Sequence, residues 1–228
     1  LSFLLYLAAG EAAPTITDIG WALVAGVAGG IGITALYGGL AAGRMGVVAP
    51  VTGVVAAVIP VLAGAAFEGL PRPLVAVGIG LALVAVVLVG RTHDPADGPS
   101  GLSYGLVAGS AIGLFNVCVA QFGAGRVFGP FAVVRLAEIV LVGTVVLLGH
   151  RPWRLPRSLL GPVTLVGVLD MAGNVFFIVA TQVGRLDVAA VLAATDQRAL
   201  VVPRERLTVG HAVGIGLAAL AVGLIAGG

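Results

Sequence analysis

Six side chains in this sequence combine an apolar setting with a group able to hold a ligand, and they fall on three segments. Asp170 and Asn174 stand four apart in a long apolar run, so a helix carries both on one face, with Phe177 and Thr181 continuing the stripe. Arg135 and Glu138 stand three apart in the preceding run, and Asn116 lies in the middle of the run before that. An ionisable group inside an apolar span is expensive and is a functional candidate by default. The chemistry such a set can offer is reversible binding: polar contacts from Asp170, Asn174 and Asn116, and an apolar surface from Phe177. Two readings stand for each pair. Asp170 either lines a cavity or hydrogen-bonds a neighbouring helix. Arg135 and Glu138 either meet a substrate or neutralise each other and fix helix packing.

The other polar residues carry less. Gln121, Tyr37, Tyr104 and His211 fall near segment ends, where amphipathic side chains settle at the membrane interface. Glu68 and Glu205 sit in turns and read as helix-terminal structure. Cys118 is the single cysteine and stands inside an apolar run, so there is no disulfide framework or cysteine-based metal site. No Gly-rich phosphate loop, His-Glu-x-x-His motif or Gly-x-Ser-x-Gly nucleophile turn occurs. The expectation is a protein that is not an enzyme, with no cofactor and no metal. A net charge of +2 is too small to suggest nucleic acid as a partner.

The elements that must position these residues are membrane spans. The chain of 228 residues is 59% hydrophobic and 10% charged, with 36 glycines, and its mean hydropathy is +1.15. A soluble domain of this size needs more charge to cover its surface, and glycine is favoured where membrane helices approach closely. All twelve basic residues are Arg, a composition of high-GC bacterial genomes. With ~20 apolar residues needed per span, residues 1–9 read as the tail of a span that starts upstream. Further helices are expected at 18–42, 46–67, 73–90, 102–122, 128–148, 158–183, 187–202 and 209–226. Pro50 and Pro60 inside the third segment mark either a cavity lining or a packing kink. The stretch 91–101 is the long polar linker, expected to be solvent-exposed, and Trp153 marks an interface in a basic loop.

One pattern occurs twice, over residues 35–91 and 176–228. Gly43-Arg44-Met45 matches Gly184-Arg185-Leu186, Glu68 matches Glu205, and Val77-Gly78-Ile79-Gly80 matches Val213-Gly214-Ile215-Gly216. The second copy is shorter by about one helical turn between its Gly-Arg and its Glu, and it carries Asp196-Gln197-Arg198 where the first copy is apolar. The order of these motifs, with Arg204-Glu205-Arg206-Leu207-Thr208 followed by Gly214-Ile215-Gly216, resembles the EamA domain of the drug/metabolite transporter superfamily. The resemblance covers nearly the whole chain. It implies an all-α, polytopic membrane bundle of two five-helix inverted repeats, here lacking the first helix and part of the second. The first repeat would occupy 1–90, the linker 91–101 and the second repeat 102–228, the two copies superposing after inversion. Orientation stays open. The positive-inside rule puts Arg44, Arg91, Arg151, Arg154, Arg157, Arg204 and Arg206 in the cytoplasm, whereas the resemblance puts Arg72, Arg126 and Arg185 there.

The function implied is a secondary transporter in a bacterial plasma membrane. It would move a small metabolite or drug-like molecule by alternating access, with export the expected direction. The expected substrate-contact residues are Asp170, Asn174, Asn116, Phe177, Arg135 and Glu138, and the expected partners are that small molecule and the lipid bilayer. The competing expectation is a non-transporting membrane protein, either an inactive remnant or an assembly partner.

Overall fold

The structure is a computed structural model that describes residues 2–42, 45–67, 69–70, 72–90, 101–149 and 156–184. All the elements among them are helical: α1 (Ser2–Ala9), α2 (Ile16–Ala41), α3 (Met45–Phe67), α4 (Pro73–Gly90), α5 (Leu102–Val119), α6 (Phe128–Leu148) and α7 (Arg157–Val183). Among the described residues, four stretches are long and apolar enough to cross a membrane, namely Ile16–Ala41, Leu102–Val119, Phe128–Leu148 and Ser158–Val183. The described residues are therefore all-α, with helices of the length and apolarity of a membrane protein. The linker apart from Gly101, the eighth and ninth expected segments, Glu68, His211 and most of the second sequence copy lie outside the described residues, so the repeat is not on view.

The bundle is assembled on glycines. On α5, Gly105, Gly109 and Gly113 recur every four residues and so form one notched face. They receive Val51, Val55 and Ile59 of α3, which share the same spacing. Residue numbers rise together along this seam, so α3 and α5 run parallel. A Cβ on any of the three glycines would lie within 3.0 Å of its valine or isoleucine partner, a separation that packed carbon atoms do not reach. The seam of α2 with α5 runs the other way: Gly32 meets Ile112, and Gly39 meets Tyr104. Gly26 and Gly30 of α2 seat Ala137 and Leu141 of α6, in parallel. In lipid, where neighbouring hydrocarbon supplies no hydrophobic drive, such close backbone approach is what holds helices together. α2 and α5 thus form the centre of the bundle, with α3 and α6 on either side.

The apolar core lies between α2, α5, α6 and α7. Ala22, Ala25, Phe115, Cys118, Phe131, Val134, Phe177 and Ile178 belong to it. Cys118 is buried there as a small packing residue. α3 continues through both of its prolines, and Pro60 is fully buried.

Helix ends are set by local chemistry. Thr15 caps α2: its hydroxyl accepts from the Asp18 N–H at 3.2 Å, while the Asp18 carboxylate accepts from the Thr15 N–H at 2.8 Å. This reciprocal box satisfies donors that a helix start leaves free. It starts the helix at Ile16, two residues before the position expected from hydrophobicity. α5 stops at Val119 rather than at 122, because the Gln121 and Phe122 N–H groups turn back to the carbonyls of Cys118 and Val119. Gly125, at φ +72°, supplies the left-handed residue in the following turn.

Candidate functional site

α6 and α7 place a charged triad inside the candidate spans. Arg135 projects from α6 and is stacked on Phe131 one turn earlier, its guanidinium carbon 4.7 Å from the ring centroid. Its Nη1 donates to Glu138 Oε2 at 2.6 Å, on the same helix. Its Nη2 donates to Asp170 Oδ2 across the gap to α7. The Asn174 side-chain amide donates to the Asp170 carbonyl at 2.8 Å and to Asp170 Oδ1 at 3.3 Å. One guanidinium is thus shared by two carboxylates, and a carboxamide steadies the outer one.

The two carboxylates stand in different surroundings. Glu138 is buried, with 8% of its surface exposed, and its Oε1 occupies the notch that Gly29 leaves on α2. Any side chain at position 29 would collide with it. Asp170 is open on one side, its side chain 48% exposed. Glu138 is therefore built into the packing of α2 on α6, while Asp170 can meet something else. Arg135 lies between them at 25%.

Four of the six expected contact residues, Arg135, Glu138, Asp170 and Asn174, accordingly come together. The other two stand apart in character. Phe177 is 7% exposed and belongs to the core, as do Met171 and Ile178. Asn116 is half-buried on α5, and no hydrogen bond from its side chain is found among the described residues. Tyr104 packs over Gly38 and Gly39 of α2, which is a helix–helix contact as well as a position near a helix end. Two shallow apolar grooves, of about 420 and 390 Å³, lie on the outer surface of α2 and α5 around Ile31 and Leu114. Neither is lined by a residue of the triad.

A second polar assembly, on one end of the bundle, was not expected from the sequence. It gathers around the turn at 120–127 between α5 and α6. Glu11, in the loop between α1 and α2, accepts from the N–H groups of Val127, Phe128 and Gly129 at 2.9–3.1 Å, so its carboxylate caps the positive N-terminus of α6. Asp18 Oδ1 accepts from the Gly123 N–H at 2.9 Å, and its Oδ2 pairs with Arg126 Nε at 2.7 Å. From α7, the Gln182 amide donates to the carbonyls of Gly123 and Arg126, both at 3.2 Å, and accepts from the Gly125 N–H at 3.1 Å. Part of this was signalled: Thr15-x-x-Asp18 before an apolar run is a capping-box pattern. Nothing local marks Glu11 or Gln182, because their partners are distant in the chain.

No protein-family model matches this sequence, and no curated protein matches it. A solved structure described as "Crystal structure of protein" superposes with a TM-score of 0.59, covering 98% of this chain and 91% of that chain at 17% identity. At that identity the likeness is one of fold alone.

Proposed function

We propose that this chain is a secondary transporter of a small metabolite or drug-like molecule, of the EamA type within the drug/metabolite transporter superfamily. It would act by alternating access in a bacterial plasma membrane, with two inverted five-helix repeats rocking about a central site. One observation carries the proposal. A charged triad bridges two membrane-type helices, and one of its carboxylates, Asp170, keeps about half of its side chain exposed beside the described residues. Lipid cannot solvate that group, so it faces protein, water or a bound molecule. Asp170 and Asn174 would make the polar contacts, and Arg135 would set the charge of the site.

A second reading has its own observation. Arg135 is satisfied by Glu138 and Asp170 together, so the triad could serve only to fasten α7 in a membrane protein that transports nothing. The two readings separate by experiment. Comparing metabolites in cells lacking and cells overproducing the protein identifies a substrate. The purified protein is then reconstituted, and uptake is normalised to folded protein. Asp170→Asn retains shape and is expected to lower transport, and Asp170→Leu is expected to lower it further. Equal normalised transport by wild type and both variants would remove Asp170 from the site. If no metabolite differs and no transport is found, the fastening role remains.

A further inference from the structure

α7 is held differently from the helices it faces. α2, α3, α5 and α6 meet at glycines, where a single added carbon would collide with a neighbour. Among the described residues, the glycines of α7 at 161, 167 and 173 meet nothing: a Cβ on any of them would find no atom of those residues within 4 Å. To the described helices and turn α7 is fastened instead by side chains. Asp170 holds Arg135, Gln182 holds the 120–127 turn, and Met171, Phe177 and Ile178 make the apolar contact between these points. A glycine-notched seam cannot shift without repacking both backbones. A seam made by side-chain ends can release and re-form as a rigid-body motion.

We propose that α7 is the moving arm of this protein and that Gln182 is its releasable clasp. The turn at 120–127 is tied in two directions. Toward the body it is held by the Glu11 and Asp18 carboxylates, in charge-assisted contacts, and Asp18 is only 2% exposed. Toward the arm it is held by a neutral carboxamide, through three bonds at 3.1–3.2 Å in part-buried to exposed surroundings. Neutral bonds at an accessible position are readily exchanged for bonds to water, whereas buried charged ones are not. When α7 moves, the break falls at Gln182, and the turn stays with α2 and α6. The purpose of this clasp rests on the alternating-access reading, but the motion can be measured whether or not the protein transports anything.

The experiment places spin labels at Ala124→Cys in the turn and Val183→Cys at the end of α7, both exposed positions. The background is Cys118→Ala, and the protein is full-length in lipid nanodiscs. The clasped protein gives mainly one short distance. Gln182→Ala is expected to raise the population of a longer distance at least about fivefold, the worth of one net hydrogen bond. Gln182→Glu keeps the length and the bond from Gly125 but sets a carboxylate against two carbonyls, and it is expected to do the same. Glu11→Gln, on the body side, is expected to lower the melting temperature and leave the distance unchanged. An unchanged distribution in both Gln182 variants overturns the proposal, as does an equal broadening in Glu11→Gln.

Discussion

Replacing Gly109 by Ala tests whether the glycine seams hold this bundle. A Cβ at that position would lie 2.6 Å from Val55 Cβ and 2.9 Å from the Thr52 carbonyl oxygen, where ~3.5–4.0 Å is comfortable. Backbone on one side and a β-branched carbon on the other leave no flexible end to swing aside. α3 and α5 must therefore part by about 1 Å at the middle of the seam, which also loosens the contacts of Gly105 with Val51 and of Gly113 with Ile59. Overpacking of this kind costs about 1–3 kcal/mol. The stiffer unfolded chain offsets about 0.4–1 kcal/mol, so a net loss of about 1–2 kcal/mol is expected. Gly143 on α6 supplies the control, since among the described residues a Cβ there meets no atom within 4 Å. There only the backbone gain remains, and Gly143→Ala should be neutral or more stable by up to about 1 kcal/mol. Reversible unfolding of both variants in mixed micelles reads the difference. If Gly109→Ala unfolds at the wild-type midpoint, or if Gly143→Ala loses as much, the seam is not what holds α3 to α5.

Three further outcomes follow from particular contacts. Glu11→Ala removes the acceptor of three N–H groups at the start of α6 and should cost roughly 1.5–3 kcal/mol of unfolding free energy, with Glu11→Gln recovering part. Asp18→Asn and Arg126→Gln, combined in a double-mutant cycle, should show a coupling of roughly 1–3 kcal/mol, below a fully buried pair because Arg126 is 27% exposed. A coupling near zero would mean that the ion pair is incidental. Gly29→Ala pushes a methyl into the Glu138 carboxylate and should destabilise the fold by at least about 1–3 kcal/mol. In the Glu138→Ala background the same change should cost clearly less, and an undiminished loss would show that the notch is not what seats the carboxylate.

The sequence was most legible where one rule acted alone. α4 and α6 occupy the expected 73–90 and 128–148, because apolar runs there end at Gly, Pro or charge. It misled where two rules met. Phe122 is apolar and buried, which extended the expected α5, yet its backbone already belongs to a turn, and the side chain joins the core from there. The apolar run places the start of α2 at Asp18, although Asp18 is already the third residue of the helix and closes a capping box with Thr15. Within the site, periodicity recovered each same-helix pair: Arg135 with Glu138 at three residues, and Asp170 with Asn174 at four. The bond from Arg135 to Asp170 was out of reach, because spacing along one helix says nothing about how that helix is rotated against another.

That rotation is nonetheless encoded, in residues that carry no chemistry of their own. Gly29 faces α6 one turn from Gly26, and the two notches fix which side of α6 turns toward α2. With Ala137 seated at Gly26, the next residue, Glu138, falls at Gly29. Arg135, three residues earlier, is then drawn to that carboxylate and points past α2 toward α7. Asp170 meets it because Phe177 and Ile178, two turns further along α7, are already sunk in the core. The triad is thus a consequence of small residues on α2 and large ones on α7. Enlarging Gly26 or Gly29 should disturb the charges as surely as replacing a charged residue, while Gly173, one turn beyond Asp170 on the open side of α7, should tolerate Ala without effect on them.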